Sequence, residues 1–376
     1  MFSTRAHDGD MVDVLPEQAR KGRGAISNPA GRFEAESRRA IDDGWAHVPG
    51  DEGEDRSGPP AVQTTVTLDK TRTIIAKNDS PDVPFDQSIN PYRGCEHGCI
   101  YCFARPSHAF FGLSSGLDFE TKLFAKPEAG RLLAAELRKP GYVPRVIAMG
   151  TNTDPYQPVE REWKVTRGIL ETLAAFNHPL SIVTKSALVL RDLDILAPMA
   201  RKGLVRVFLS ITTLDRHLAN KMEPRASTPS RRLAAVKGLA EAGVPTGVMA
   251  APMIPALNDG ELEAILTAAR DMGAISAGYT LLRLPYEIKD LFVEWLDEHA
   301  PLKARHVLSL IQGARGGRLN DPRWGSRMKG EGAYAELLRT RFRLACARLG
   351  FNKHDWHPDA SQFRIPPQPG DQLRLL

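Results

Sequence analysis

The chain has 376 residues, 42% of them hydrophobic and 25% charged, with a net charge of +5 at pH 7. Those proportions suit a globular protein with a buried core and argue against a disordered or fibrous chain. No run approaches the ~20 consecutive apolar residues of a membrane helix, and "MFSTRAHDGDMVDVLPEQARKGRG" has no apolar leader stretch, so a cytoplasmic protein with no membrane partner is expected.

Residues 1–65 are rich in Gly, Asp, Glu, Arg and Pro and carry a net charge of −4. Few apolar positions recur there, and a flexible N-terminal extension is expected. The core is expected over 66–300, where short β-branched runs alternate with amphipathic stretches. A strand near 88–94 is followed by a helix near 126–139. Further strands are expected at 145–151, 180–186, 205–212, 245–254 and 277–284, separated by helices at 165–176, 191–202, 229–242 and 259–272. Ser227, Thr228 and Pro229 form a helix start, and Gly243 a stop. Strands and helices alternating at this spacing imply βαβ units and a parallel sheet. About six such units are too few for a closed eight-stranded barrel; they suit a partial (βα)6 TIM-type barrel or an open doubly wound α/β sheet. Both place chemistry at the C-terminal ends of the strands.

From 301 to 376 the sequence is helical and basic, with a net charge of +8, and "GAYAELLRTRFRLACARLGF" (332–351) reads as one amphipathic helix. A basic surface of this kind meets a polyanion such as nucleic acid, or is simply solvated. "NKHDWHPD" brings His354, Asp355 and His357 within reach of a metal, and the last residues read as a tail.

The chemistry concentrates in "RGCEHGCIYCFAR", where three of the four cysteines, Cys95, Cys99 and Cys102, fall within eight positions. In a reducing compartment such a group is metal-binding or catalytic rather than disulfide-bonded. Thiolates select zinc, copper(I) or iron–sulfur clusters, and a closed zinc site needs four protein ligands. Cys346 lies more than 240 residues away on an amphipathic helix, where a buried free thiol is expected. His97 is too close to both flanking cysteines for easy tetrahedral closure. Three thiolates without a fourth side chain leave one iron of a four-iron cluster open.

"CEHGCIYC", with Tyr101 directly before the third cysteine, resembles the signature of the radical S-adenosylmethionine superfamily. The resemblance implies a partial barrel in which Cys95, Cys99 and Cys102 ligate a 4Fe-4S cluster whose fourth iron is chelated by S-adenosylmethionine. Reductive cleavage of that sulfonium would yield a 5′-deoxyadenosyl radical that abstracts hydrogen from a substrate. The blocks "NPYRGCEHGCIYCFARPSHAFF…DFETKLFAK" and "TDPYQPVE" resemble the branch that includes spore photoproduct lyase. Within that branch the third strand ends in Thr-Lys and the fourth in Ser-Ile, matching Thr184-Lys185 and Ser210-Ile211. The implied cofactor-binding set is Tyr101, Gly150, Asn152, Lys185, Ser210 and Arg225. Lys185 and Ser210 would contact the methionine and ribose parts, and Arg225 would take a carboxylate or else pair with Glu223 at the surface.

Two departures stand out. Gly150, Thr151 and Asn152 occupy the strand end where many members carry Gly-Gly-Glu, and Asp154 is the nearest carboxylate. Spore photoproduct lyase uses an additional cysteine, yet none occurs here between Cys102 and Cys346. Thymine-dimer repair is therefore not supported, while DNA or RNA remains the favoured substrate class. Tyr279 and Tyr286 would serve as a hydrogen-atom relay or as packing. An electron donor such as flavodoxin or ferredoxin is implied. The runner-up is a non-catalytic metal-binding module that contacts nucleic acid through its basic C-terminal surface.

Overall fold

The computed structural model describes residues 17–36, 62–353 and 357–367. Its strands in chain order are β1 (Thr65–Leu68), β2 (Ile75–Lys77), β3 (Gln87–Ile89), β4 (Tyr92–Arg93), β5 (Lys122–Ala125), β6 (Ile147–Met149), β7 (Leu180–Thr184), β8 (Val205–Ser210), β9 (Thr246–Met253) and β10 (Ser276–Leu281). Six of them, β3, β6, β7, β8, β9 and β10, are parallel neighbours in that order, with β2 antiparallel on the β3 edge. The helices Ala129–Leu137, Val165–Ala175, Leu193–Arg201, Pro229–Glu241 and Leu262–Asp271 fill the five crossovers. This is the expected partial (βα)6 arrangement. β10 and β2 are not paired, so the sheet stays open. A small second sheet, β1-β5-β4, sits beside the first parallel strand.

The strand pattern explains which face is covered. In β7, Leu180, Ile182 and Thr184 are buried, whereas Ser181 and Val183 are half-buried. β8 repeats this, with Val205, Val207 and Leu209 buried and Arg206 and Phe208 half-buried. One face therefore packs on the helices through Leu170, Leu173, Leu239 and Ile265, and the other is only half-buried.

Helix Gly332–Leu349 packs against Leu262–Asp271 and β10, through contacts such as Tyr279 on Phe342 at 4.7 Å between ring centroids. The basic C-terminal region thus extends the β10 end of the sheet. No helix among the described residues is long and apolar enough to cross a membrane.

Part of the segment read as a flexible extension is integrated into the fold. Residues 17–36 lie over the cysteine loop, with Ala25 and Ile26 buried. Ser27 accepts the Leu117 amide at 3.3 Å, and Asn28 exchanges two hydrogen bonds with Asp118. Residues 1–16 and 37–61, together with His354, Asp355 and the tail beyond 367, lie outside the described residues.

His178 gives the core a pH signature. It is fully buried, and the Tyr142 hydroxyl meets its Nε2 at 2.7 Å. Burial pushes its pKa down from 6.5 to about 4. Between those values the unfolded chain binds the extra proton, so stability falls as pH drops through the window, by about 2–3 kcal/mol at pH 4.5 relative to pH 7. Urea titrations of His178→Gln at the two pH values should show a smaller loss than the parent; an equal loss would assign the effect elsewhere.

Candidate active site on the cysteine loop

Strand β4 delivers the chain to Gly94, whose φ of +73° starts the loop. The Cys95 amide donates to the Phe119 carbonyl at 3.0 Å, and Cys102 closes back on the Cys99 carbonyl at 3.2 Å. Ile100, fully buried, donates to Met222 at 3.0 Å, which ties the loop to the segment after β8. The loop therefore lies on the face where the parallel strands end.

Arg105 holds this loop from beneath. Its guanidinium has no exposure to water. It donates to the carbonyls of Cys99 (2.8 Å), Gly98 (3.0 Å), Ser115 (3.1 Å) and Gly116 (2.9 Å), and to the Glu120 carboxylate at 2.5 Å. A buried guanidinium is tolerable only with its donors met and its charge balanced, and both conditions hold here. Glu120 also accepts the amides of Gly24 (3.0 Å) and Ala25 (2.8 Å), so one carboxylate joins the N-terminal segment to the loop. Glycine is required at that crossing, because a Cβ on Gly24 would stand 1.8 Å from the Gly98 oxygen. On the other flank Gln157 accepts the Glu96 amide at 2.8 Å and donates to the Gly94 carbonyl at 3.2 Å. The "TDPYQPVE" turn is thus an organising element.

Cys95 and Cys99 are buried and Cys102 is partly exposed. Burial raises the Cys95 and Cys99 thiols above their ordinary range, so metal loading must expel their protons. Among the described residues no three Cys, His, Asp or Glu side chains converge as a single-ion site. Three free thiols spaced within eight residues on one largely buried loop are of the kind that holds an iron–sulfur cluster, in which each sulfur takes its own iron. Cys346 belongs to a different apolar cluster from the three, and burial lifts its thiol to about 11.

The residues expected to bind cofactor divide into those gathered at the loop and those engaged elsewhere. Lys185 ends β7 and its ammonium stands 5.7 Å from the centre of the Tyr101 ring. The Tyr101 hydroxyl is buried on Glu223 and 3.1 Å from the Thr212 hydroxyl, so only its ring faces the loop's surroundings. Arg225 flanks the loop, pairing with Glu96 at 2.8 Å while its amide donates to His97 at 3.3 Å. The Glu223–Arg225 surface pair is corrected: Glu223 is buried and bound to Arg232, whose guanidinium also donates to the Ser210 carbonyl at 3.0 Å. Ser210 and Thr212 both donate their hydroxyls to the Ala251 carbonyl at 3.1 Å.

Gly150 has a backbone reason for its identity: φ is +85°, and a Cβ would come 1.8 Å from the Val183 oxygen. Asn152 is exposed, its amide 3.2 Å from the Asn90 side chain. Asp154, the nearest carboxylate to that strand end, acts as a latch. It accepts the Thr184 hydroxyl and the Lys185 amide, each at 2.7 Å, and lies 3.4 Å from His97. Burial alone would raise its pKa, but the His97 interaction and these donors outweigh it and hold the carboxyl at about 2. Tyr279 and Tyr286 do not form a pair: the first is buried on Phe342, and the second is 65% exposed and stacked on Arg32.

A cleft of about 230 Å³ opens beside the loop, lined by His97, Tyr156, Arg161, Ser186, Arg225 and Arg231. A larger one, about 890 Å³, lies at the opposite ends of the strands around Gln87, Lys139 and Arg145. The smaller cleft is the one joined to the cysteine chemistry, so size does not locate the site here.

A family model described as the radical SAM superfamily matches residues 89–269. An uncharacterised protein of Mycobacterium tuberculosis is 38% identical over 310 residues, covering 81% of this chain and 87% of that protein. Another from Methanocaldococcus jannaschii is 32% identical over 173 residues, 46% of this chain and 62% of that protein. The fold is similar to that of spore photoproduct lyase complexed with dinucleoside spore photoproduct, with a TM-score of 0.53 at 18% identity, over 76% of this chain and 80% of that one. With the cysteine loop at the strand ends of a six-stranded parallel sheet, these similarities show that the chain belongs to the radical SAM superfamily.

Proposed function

We propose that the protein reductively cleaves S-adenosylmethionine at a 4Fe-4S cluster held by Cys95, Cys99 and Cys102, and acts on a nucleic-acid substrate. The observation that carries the reading is a short, largely buried loop at the strand ends that presents the free thiols of Cys95, Cys99 and Cys102 near the ammonium of Lys185. When bound and reduced, the cluster would supply the electron that splits the sulfonium into methionine and a 5′-deoxyadenosyl radical able to take hydrogen from a substrate.

The chain's own groups bind and orient. Lys185 is assigned to the methionine carboxylate, for which an ammonium offers charge and three donors. Arg225 is a second cation for that group once it leaves Glu96. Ser210 has lone pairs free to accept, since its proton goes to Ala251. The exposed backbone at Gly150 and Asn152 is assigned to the amino group, and the Tyr101 ring to apolar packing. Arg105, Glu120 and Gln157 keep the loop dry and rigid.

The nucleic-acid assignment rests on the basic C-terminal region and on the dinucleoside bound by the structural neighbour. An electron donor of the flavodoxin or ferredoxin class completes the cycle.

Anaerobic reconstitution with iron and sulfide, followed by dithionite and S-adenosylmethionine, should give a brown protein that releases 5′-deoxyadenosine. Deuterium from labelled DNA or RNA should appear in that product. A colourless protein that releases nothing would return the chain to a metal-binding module. Release without transfer from any nucleic acid would remove the substrate assignment.

A further inference from the structure

We propose that Arg283 is the anion-reading residue of the substrate site, and that the substrate carries a phosphate or carboxylate which this guanidinium takes beside Phe103. The proposal rests on the radical-enzyme reading and deepens it by naming a chemical group of the substrate.

Arg283 lies two residues past β10, at the C-terminal end of the sixth parallel strand, on the same face as the cysteine loop. Its guanidinium lies 5.5 Å from the centre of the Phe103 ring. Phe103 follows Cys102 immediately, is 49% exposed, and offers a flat apolar surface at the mouth of the loop.

The charge around Arg283 is unbalanced. Among the described residues its Nε is buried without an acceptor, and its one hydrogen bond is a weak contact from Nη1 to the Met328 sulfur at 3.4 Å. Like charges stand close: burial and Arg327 lower its pKa against a smaller opposing pull from Asp82, and Arg283 adds to the burial that depresses Arg315.

The neighbouring carboxylates are committed to other donors. Asp82 takes the Gly325 amide at 2.7 Å on one oxygen and Arg327 on the other. Asp321 is held by Arg323 and by the Ser326 hydroxyl at 2.6 Å. Arg315 is occupied by the carbonyls of Leu281, Leu282, Ser326 and Arg327.

A partly buried guanidinium with no directly paired carboxylate among the described residues is unfavourable, and an incoming oxyanion relieves it. The planar fork favours bidentate phosphate or carboxylate, and Phe103 favours a flat ring next to that group. A functional role thus explains an arginine that contributes no balanced pair to the fold.

The test uses reconstituted protein and three probes: phenyl phosphate, benzoate and phenol, with binding followed by calorimetry. The parent should bind the two anions and not phenol; tighter binding of phenyl phosphate would identify a phosphate, and tighter benzoate binding a carboxylate. Arg283→Met should weaken anion binding about tenfold or more, with Arg283→Lys in between because it keeps charge but loses the fork. Both variants should keep the parent's cluster spectrum and its affinity for S-adenosylmethionine. Equal anion binding by Arg283→Met, or no preference of the parent for anions over phenol, overturns the assignment. Loss of S-adenosylmethionine affinity would place Arg283 on the cofactor and overturn it too. If instead the parent binds the anions but never releases 5′-deoxyadenosine, the radical reading fails while the anion site stands.

Discussion

Cys99→Ala is expected to lose iron and S-adenosylmethionine cleavage together, to background. Cys99 is the middle thiol of the loop, buried at 8% exposure, with its carbonyl held by Arg105. An alanine there would remove one of the three proposed anchors of the cluster, and Cys346 cannot replace it because it sits in a separate apolar cluster on a distant helix. The backbone hydrogen bonds that shape the loop do not use the sulfur, so the melting temperature of the metal-free protein should change little. Iron analysis, the visible spectrum and 5′-deoxyadenosine release measure the three quantities separately. Cys346→Ala in parallel should retain all of them. Full cleavage by Cys99→Ala would remove the cluster assignment, and iron loss by Cys346→Ala would revive a four-thiolate site.

Arg105→Met is expected to be the most destabilising single change in the region. It leaves the buried Glu120 carboxylate without its directly paired cation, and it strips donors from four carbonyls of the loop and of residues 115–116. Breaking a buried pair by removing one member costs about 3–5 kcal/mol. The loss should show in urea titration of the metal-free protein, along with weaker iron retention, because the same carbonyls set the positions of Cys99 and its neighbours. Glu120→Gln in the Arg105→Met background should recover part of the stability, since the stranded charge is then gone. A change below about 1 kcal/mol for Arg105→Met would mean that the pair is not the clamp described here.

How far the sequence anticipated the site differs from residue to residue. The strands expected at 180–186 and 205–212 end at Thr184 and Ser210 in the fold, and the helix expected at 229–242 runs Pro229–Glu241. Such elements are written in local periodicity and in caps, which act over a few residues. The cysteine spacing is equally local, and it was sufficient to identify the loop.

Glu223 and Arg225 show the limit. Two residues apart in sequence, they invited pairing, yet a helix end turns Glu223 inward to Arg232 and Arg225 outward to Glu96. Asp154 likewise resembles a ligand until the third strand supplies its donors.

From the sequence alone came the six βα units, the cysteine trio and the strand ends that carry Lys185 and Ser210. Only the tertiary structure decided which charges meet: Arg105 with Glu120, Glu120 with the amides of residues 24 and 25, and Arg283 in no ion pair among the described residues. The reason is range. Periodicity and motif spacing record what a segment does over one or two turns, whereas Glu120 and Gly24 are brought together across 96 residues by packing that no local pattern encodes.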